Sequence, residues 1–216
     1  DRFLRSREVY GTIEKLRAMG CRVEYRPADV GNGISLRNLI DQILYSHRKI
    51  DLLIYSAGVD RSQSFMNKDI ESFNTVLHPK VSGAANLLSL TAEVEAIKHI
   101  VLFSSAYTWF GFEGSVDYVA GNRFLAALGQ YWDLRAKTSK IRAVHWGPWA
   151  EVGLAASDRL AEYFKNLGMK AIAPETGAKL FSEFVSYHSG DVTILDVSAQ
   201  LHHISDMVAD SQDVLE

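Results

Sequence analysis

The stretch "KHIVLFSSAYTWFGFEGSVDYVAGN", residues 98–122, begins as an apolar run, closes on two serines and continues into a helical pattern. A short continuous apolar run that ends in turn-forming residues is typical of a strand covered on both faces. Similar runs lie at residues 49–58, 140–149 and 191–197, and residues 21–30 begin with another before a loop. We therefore expect a strand in each of these five segments.

Helical patterns fill the intervals between these runs. In residues 7–20 the apolar positions recur along one face and Gly20 supplies a C-terminal stop, while residues 35–47 begin at Ser35, a favourable N-cap. Further helical patterns cover residues 115–136, 157–167 and 175–187. Strands that alternate with helices at this spacing predict an α/β fold with a parallel sheet between layers of helices.

The composition excludes several classes of protein. Of the 216 residues, 47% are hydrophobic and 23% are charged, as in ordinary globular domains. The net charge of −3 gives no electrostatic reason to expect binding to nucleic acid. No apolar run is long enough to span a bilayer, and the single cysteine, Cys21, excludes an internal disulfide. The absence of a disulfide favours a cytoplasmic protein, with Cys21 as a small core residue. We expect one domain over residues 1–200 and a tail or linker over residues 201–216.

Two residues of the opening stretch suggest catalysis. Ser105 ends a predicted strand, and Tyr118 begins a helix that can fold back over that strand end. A phenol has a pKa of about 10 in water, and a nearby ammonium group lowers that pKa. Lys80, in the helical segment "VLHPKVSGAANLL" (76–88), is the candidate ammonium. Ser105 could then bind a substrate carbonyl while Tyr118 supplies a proton to it, with a hydride arriving from a cofactor.

Three motifs, "HPKVSGAANL", "VLFSSAYTWFGFEGSVDYVAGN" and "WGPWAEVGLA", occur in this order. They resemble the ketoreductase domains of polyketide synthases, a branch of the short-chain dehydrogenase/reductase superfamily. The resemblance extends over residues 20–190 and implies a Rossmann-like, doubly wound parallel sheet. It also implies that Ser105 orients the ketone, that Tyr118 is the proton donor, and that Lys80 and Asn122 complete a catalytic tetrad. Asn122 stands where ordinary members of the superfamily have a lysine, which argues against a stand-alone 3-oxoacyl-carrier-protein reductase.

The resemblance also implies a cofactor, NADPH, and no metal. The residues expected to contact NADPH are Arg5 and Ser6 at the 2′-phosphate, Asp29 and Val30 at the adenine, Ser56, Ala57 and Gly58 along the cofactor, and Gly147, Pro148 and Trp149 at the nicotinamide. Residues 1–8 would then form the end of a strand. Residues 163–181 resemble the lid and following helix of these ketoreductases, including those of polyunsaturated fatty-acid synthases.

The implied reaction is the NADPH-dependent reduction of a β-ketoacyl thioester to the β-hydroxyacyl form, within a polyketide or fatty-acid megasynthase. The substrate would be carried by the phosphopantetheine arm of an acyl carrier protein, and the other partners would be neighbouring synthase domains. A G-x-G-x-x-G loop, which binds pyrophosphate at a helix N-terminus, occurs nowhere in this sequence. We therefore expect the first strand and its loop to be missing. A non-catalytic structural domain of a megasynthase is the alternative that this leaves open.

Overall fold

The structure is a computed structural model, and it describes residues 2–61, 63–111, 113–151, 164, 168–187 and 190–197. The elements are α1 (Arg2–Ala18), α2 (Gly33–His47), β1 (Ile50–Tyr55), a 3₁₀ turn (Phe65–Asn67), α3 (Ile70–His78), a π-helical turn (Pro79–Gly83), α4 (Ala84–Thr91), β2 (Ile97–Ser105), α5 (Tyr107–Phe110), α6 (Val116–Asp133), β3 (Lys140–Trp146), β4 (Met169–Lys170), α7 (Pro174–Tyr187), β5 (Val192–Ile194) and β6 (Asp196–Val197).

Four strands form the central sheet, in the order β1-β2-β3-β5, and every neighbouring pair is parallel. In the register, Tyr55 lies opposite Leu102, and Ser105 lies opposite Trp146. The short strands β4 and β6 form a separate antiparallel pair. The parallel α/β sheet predicted from the sequence is therefore confirmed.

Helices cover both faces of this sheet. On one face, α2, α4 and α6 pack on β1–β3 through a buried cluster that includes Ile40, Leu88, Ile100 and Leu125. On the other face, α7 contributes Phe184 to a second buried cluster with strand residues such as Val101 and Val144. Because both faces are covered, the centres of the strands carry apolar runs, such as Ile100–Phe103 of β2, rather than a strict alternation of apolar and polar residues.

The segment before β1 differs from the prediction. Residues 21–29 form no strand, and Cys21 is exposed rather than in the core. An extended segment becomes a strand only when a neighbour satisfies its backbone groups. In the described part of the chain, β1 is an edge of the sheet, and no strand lies beyond it to receive residues 21–29.

Two further boundaries also differ. Residues 2–8 lie within helix α1 and are not the end of a strand. Helix α2 begins at Gly33, because the side chain of Asn32 caps it by accepting a hydrogen bond from the Ser35 backbone N–H at 3.0 Å. Ser35 is therefore inside the first turn and is not the N-cap.

Some predicted elements lie outside the described residues. These are the helix over residues 157–167, except for Phe164, and the tail over residues 201–216. Among the residues that are described, no helix has the length and apolar character that crossing a membrane requires.

Candidate active site

The carboxyl ends of β1, β2 and β3 meet at one edge of the sheet, because the three strands are parallel. There Tyr55 leads into Ser56, β2 ends at Ser105, and β3 ends at Trp146. Ligands of open α/β sheets bind at this edge. The structure therefore brings together three of the strand ends on which the sequence places candidate site residues.

Ser105 and Tyr118 converge at the end of β2. Helix α6 begins at Val116, so Tyr118 lies in its first turn. Burial raises the pKa of the Tyr118 phenol; a hydrogen bond with the Ser105 side chain lowers it by a smaller amount, and the negative charge of Asp60 raises it further. The phenol is therefore fully protonated at neutral pH, which is the state that a proton donor needs.

Lys80 lies in the π-helical turn that separates α3 from α4. Pro79 has no backbone N–H, so the regular helical hydrogen-bond ladder cannot continue through it. The Pro79 carbonyl instead accepts hydrogen bonds from the Ala84 backbone N–H and, at 2.6 Å, from the Tyr55 hydroxyl. The turn is thus fixed to the end of β1, and its position sets the direction of Lys80. Such π-turns are frequent at functional sites.

The side chain of Lys80 is buried, at 6% exposure, and passes between two glycines. A Cβ atom on Gly58 would lie 2.9 Å from Lys80 Cε, and one on Gly121 would lie 3.1 Å from Lys80 Cβ. The ammonium donates a hydrogen bond to the carbonyl of Phe103 at 2.7 Å. Glycines at these two positions therefore give the lysine its path to the end of β2.

One sequence expectation about the tyrosine is wrong. The pKa of Tyr118 is raised rather than lowered, because burial outweighs the groups that favour the phenolate. The Lys80 ammonium is hydrogen-bonded to the Phe103 carbonyl, and burial lowers its own pKa to about 8. In this structure the positive charge of Lys80 lies at the Phe103 carbonyl, two residues before Ser105 at the end of β2.

Asn122 is fully buried one turn after Tyr118 on α6. Its amide nitrogen donates to the Tyr118 carbonyl at 2.9 Å, and its backbone carbonyl accepts from the Ser104 hydroxyl at 3.1 Å. Its Oδ1 atom has no hydrogen-bond partner among the described residues. A buried acceptor without a partner is unfavourable, so this atom is suited to receive a donor at the site.

The residues expected at the adenine form a tight turn. The Asp29 carboxylate accepts from the Gly31 backbone N–H at 2.9 Å, and Asn86 of α4 donates to the carbonyls of Val30 and Gly31, both at 3.1 Å. Asp29 also lines an open cleft of about 630 Å³. Asn86 is a residue that sequence reasoning missed, because nothing in its helix distinguishes it from a surface position.

The segment expected at the nicotinamide is held by its backbone. Gly147 donates to the Ile194 carbonyl at 2.8 Å, and the Pro148 carbonyl accepts from Ile172 at 2.8 Å. The indole of Trp149 packs against Gly177 of α7, where a Cβ atom would lie 2.4 Å from the ring. The backbone of residues 147–149 thus stays at the strand ends, while the Trp149 ring packs in a core cluster.

The remaining cofactor predictions stay predictions. Ser56 is exposed and Ala57 is half-buried beyond the end of β1. The backbone of Arg5 and Ser6 lies in helix α1, but their side chains lie outside the described part of the structure.

Comparison with known protein families identifies the family of this chain. The family model for the KR domain matches residues 4–151, which is more than half of the chain. The chain therefore belongs to the ketoreductase (KR) domain family.

Individual relatives agree with that assignment. The chain is 26% identical over 189 residues to "Polyketide synthase PksN" of Bacillus subtilis (strain 168), covering 85% of this chain and 3% of that protein. It is 27% identical over 183 residues to a polyunsaturated fatty acid synthase of Thraustochytrium sp. (strain ATCC 26185 / S-3), covering 84% of this chain and 6% of that protein. The chain thus spans only a small part of these curated relatives.

Solved structures show the same fold. A "ketoreductase domain from the bacillaene assembly line" has a TM-score of 0.79 and 26% identity, covering 89% of this chain and 47% of that one. The "Ketoreductase from the first module of phoslactomycin biosynthesis in Streptomyces sp. HK803" has a TM-score of 0.77 and 26% identity, covering 86% of this chain and 42% of that one.

The buried ammonium of Lys80 predicts a pH dependence of stability. Its pKa falls from 10.5 to about 8 on folding, which corresponds to on the order of 3 kcal/mol. Between these two pH values the unfolded chain keeps the proton while the folded chain releases it, so the free energy of unfolding rises with pH. Below pH 8 both states are protonated and the contribution is constant. Lys80→Met should lack this rise.

Urea denaturation of the wild type and Lys80→Met from pH 7 to pH 10.5 measures the difference. The exposed Lys49, changed to Met, is the matched control and should keep the wild-type pH dependence. Equal pH dependence in the wild type and Lys80→Met would show that the ammonium is not buried as described.

Proposed function

We propose that this chain reduces a β-ketoacyl thioester to the β-hydroxyacyl form, with NADPH as the hydride source. The observation that carries the proposal is the partly buried, protonated Tyr118 beside Ser105 at the carboxyl end of β2, with the Lys80 ammonium bound to the Phe103 carbonyl of the same strand. Membership of the ketoreductase domain family supports the same reaction class.

The sheet edge offers a polar group to the nicotinamide end of a dinucleotide. Gly58 and Gly147 lie at this edge, and the space beside them is filled by the side chains of Lys80 and Leu195. The unpartnered Oδ1 of Asn122 is a buried acceptor at the same edge. A glycine-rich pyrophosphate loop is not part of this sequence, so the fit is limited to the nicotinamide end and to the cleft beside Asp29.

When bound, NADPH would supply the hydride for the new C–H bond at the β-carbon and would be left as NADP⁺. The Ser105 hydroxyl donates a hydrogen bond to the substrate carbonyl and fixes its direction. The Tyr118 hydroxyl gives its proton to the carbonyl oxygen as the C=O double bond is reduced. The products are the hydroxyl group and a phenolate on Tyr118.

Lys80 holds the strand end that carries Ser105. Its ammonium donates a hydrogen bond at 2.7 Å to the carbonyl of Phe103, two residues before Ser105 on β2. Burial lowers the pKa of this ammonium to about 8, so Lys80 is mostly charged at neutral pH. The charge-assisted hydrogen bond fixes the backbone from which the Ser105 hydroxyl reaches the substrate carbonyl.

The substrate would arrive on the phosphopantetheine arm of an acyl carrier protein. The two relatives named above are a polyketide synthase and a polyunsaturated fatty acid synthase. The proposal is therefore that the chain works beside neighbouring synthase domains, in the cytoplasm. Residues 1–200 would form the catalytic domain and residues 201–216 a tail or linker.

Tyr118→Phe should lower kcat by about 10²–10⁴-fold, because the variant has no proton to give to the carbonyl oxygen. The assay follows NADPH oxidation with a β-ketoacyl N-acetylcysteamine thioester, in this chain and in the longest polypeptide that contains it. Tyr131→Phe is the matched control, because Tyr131 lies on the same helix but is 48% exposed.

Either of two results would contradict the proposal. One is turnover by Tyr118→Phe at the rate of the Tyr131→Phe control. The other is a folded wild-type protein that neither oxidises NADPH nor binds it, which would leave the non-catalytic structural domain as the function.

Asp60→Asn should shift the alkaline limb of the kcat–pH profile to lower pH. After burial and the Ser105 hydrogen bond, the Asp60 charge is the next influence on the pKa of Tyr118, and it raises that pKa. Without this charge the phenol loses its proton at lower pH, so activity falls earlier as the pH rises. Asp41→Asn, at an exposed position on α2, is the control. A shift in the opposite direction would contradict the assignment of Tyr118 as the acid.

A further inference from the structure

A buried ion pair lies at the beginning of the helix that carries the tyrosine. The ammonium of Lys68 is 2.6 Å from Asp117 Oδ2 and 2.7 Å from Asp117 Oδ1. The two side chains are 1% and 0% exposed. Asp117 immediately precedes Tyr118 in the first turn of α6, where a negative charge is also favoured by the helix dipole.

Both members of the pair also bind main-chain groups. Asp117 Oδ1 accepts a hydrogen bond from the Tyr118 backbone N–H at 2.9 Å. This N–H belongs to the first turn of a helix and has no partner within the helix itself. Lys68 donates a second hydrogen bond, at 3.0 Å, to the carbonyl of Arg61. The pair therefore joins the backbone of Tyr118 to the loop that carries Asp60 and Arg61.

A backbone contact beside the pair holds the same two segments together. The Gln63 N–H donates to the Gly114 carbonyl at 2.9 Å. Gly114 has a φ of +80°, and a Cβ there would lie 3.3 Å from the Gln63 backbone. The loop before α3 and the loop before α6 thus touch along their main chains, and Asp60 in the first of these loops acts on the pKa of Tyr118.

Stability alone is a weak reason for such a pair. Two charges lose their hydration on burial, and well-packed apolar residues of similar volume usually stabilise a fold as well or better. Apolar residues cannot, however, accept the hydrogen bond of the Tyr118 N–H or donate one to the Arg61 carbonyl. Unlike an apolar pair, Lys68 and Asp117 can therefore hold two main-chain segments in place relative to each other.

We propose that Lys68 and Asp117 are positioning residues for the reduction, which hold the backbone of Tyr118 and the loop of Asp60 in their catalytic arrangement. This inference rests on the proposed function. It does not place either residue in contact with substrate or cofactor. A small displacement of a catalytic group reduces the rate of the chemical step more than it reduces binding.

Four variants separate positioning from stability. Lys68→Met and Asp117→Ala each break the pair and leave one buried charge, while Lys68→Arg keeps the charge and its hydrogen bonds. The double variant Lys68→Met/Asp117→Leu removes both charges and fills the space with apolar groups. Lys49→Met is the control, because Lys49 pairs with Asp51 at 2.8 Å but both side chains are exposed.

We expect kcat to fall about 10–100-fold in Lys68→Met and Asp117→Ala, with the KM for NADPH changed less than twofold. Lys68→Arg should keep at least a third of the wild-type kcat. The double variant should recover thermal stability relative to the single variants without recovering kcat, because its main-chain partners stay unbound. All rates are compared at a temperature where circular dichroism shows each variant to be folded.

Two results would overturn the proposal: a kcat within twofold of wild type in folded Lys68→Met, or a double variant whose kcat recovers together with its thermal stability. Either would show that the pair contributes only to the stability of the fold.

Hydrogen exchange gives a readout that does not depend on turnover. In the wild type the Tyr118 amide is hydrogen-bonded to Asp117, and Lys68→Met should raise its exchange rate at least tenfold, while Lys68→Arg and Lys49→Met should not. Unchanged exchange in Lys68→Met overturns the positioning proposal. Absence of turnover in the wild type, with this exchange pattern intact, overturns the proposed function but leaves the pair as the contact that places the two main-chain segments.

Discussion

The buried ammonium of Lys80 is the constraint from which much of the site follows. A charge inside a protein must be hydrogen-bonded, and the Phe103 carbonyl at 2.7 Å meets that need. The side chain reaches this carbonyl only because Gly58 and Gly121 leave room beside it. Its direction depends on the π-helical turn at Pro79, which the Tyr55 hydroxyl fixes to the end of β1. The two glycines, the proline and the tyrosine therefore all serve to place the Lys80 ammonium against this carbonyl.

Much of the fold could be predicted because the strands are continuous apolar runs that end at small or polar residues. The runs around β1, β2 and β3 all became parallel strands in one sheet, and their ends brought the predicted Ser105 to the same edge as Gly58 and Gly147. The pair of Ser105 and Tyr118 could be found from sequence because one residue ends a strand and the other begins the next long helix. The local sequence pattern is enough to predict positions of this kind.

Other features depend on distant parts of the chain and have no local signal. Residues 21–30 begin with a strand-like run, yet no strand lies beside it in the described structure, and a strand needs a neighbour. The direction of the pKa shift of Tyr118 depends on how far the phenol is removed from water, which is set by tertiary packing. Lys68 is separated from Asp117 by 49 positions and looks like any surface lysine in the sequence.

In the reaction proposed for this site, a hydride reaches the carbon of a β-ketone while the chain supplies the proton to its oxygen. The sharpest test is mass spectrometry of the product formed with NADPH that carries deuterium at the transferring position of the nicotinamide. With the wild type we expect one deuterium on the β-carbon of the hydroxyacyl product, and with Tyr118→Phe little or no labelled product. A β-hydroxyacyl product without deuterium, or a labelled product formed equally well by Tyr118→Phe, would show that the site does not work in this way.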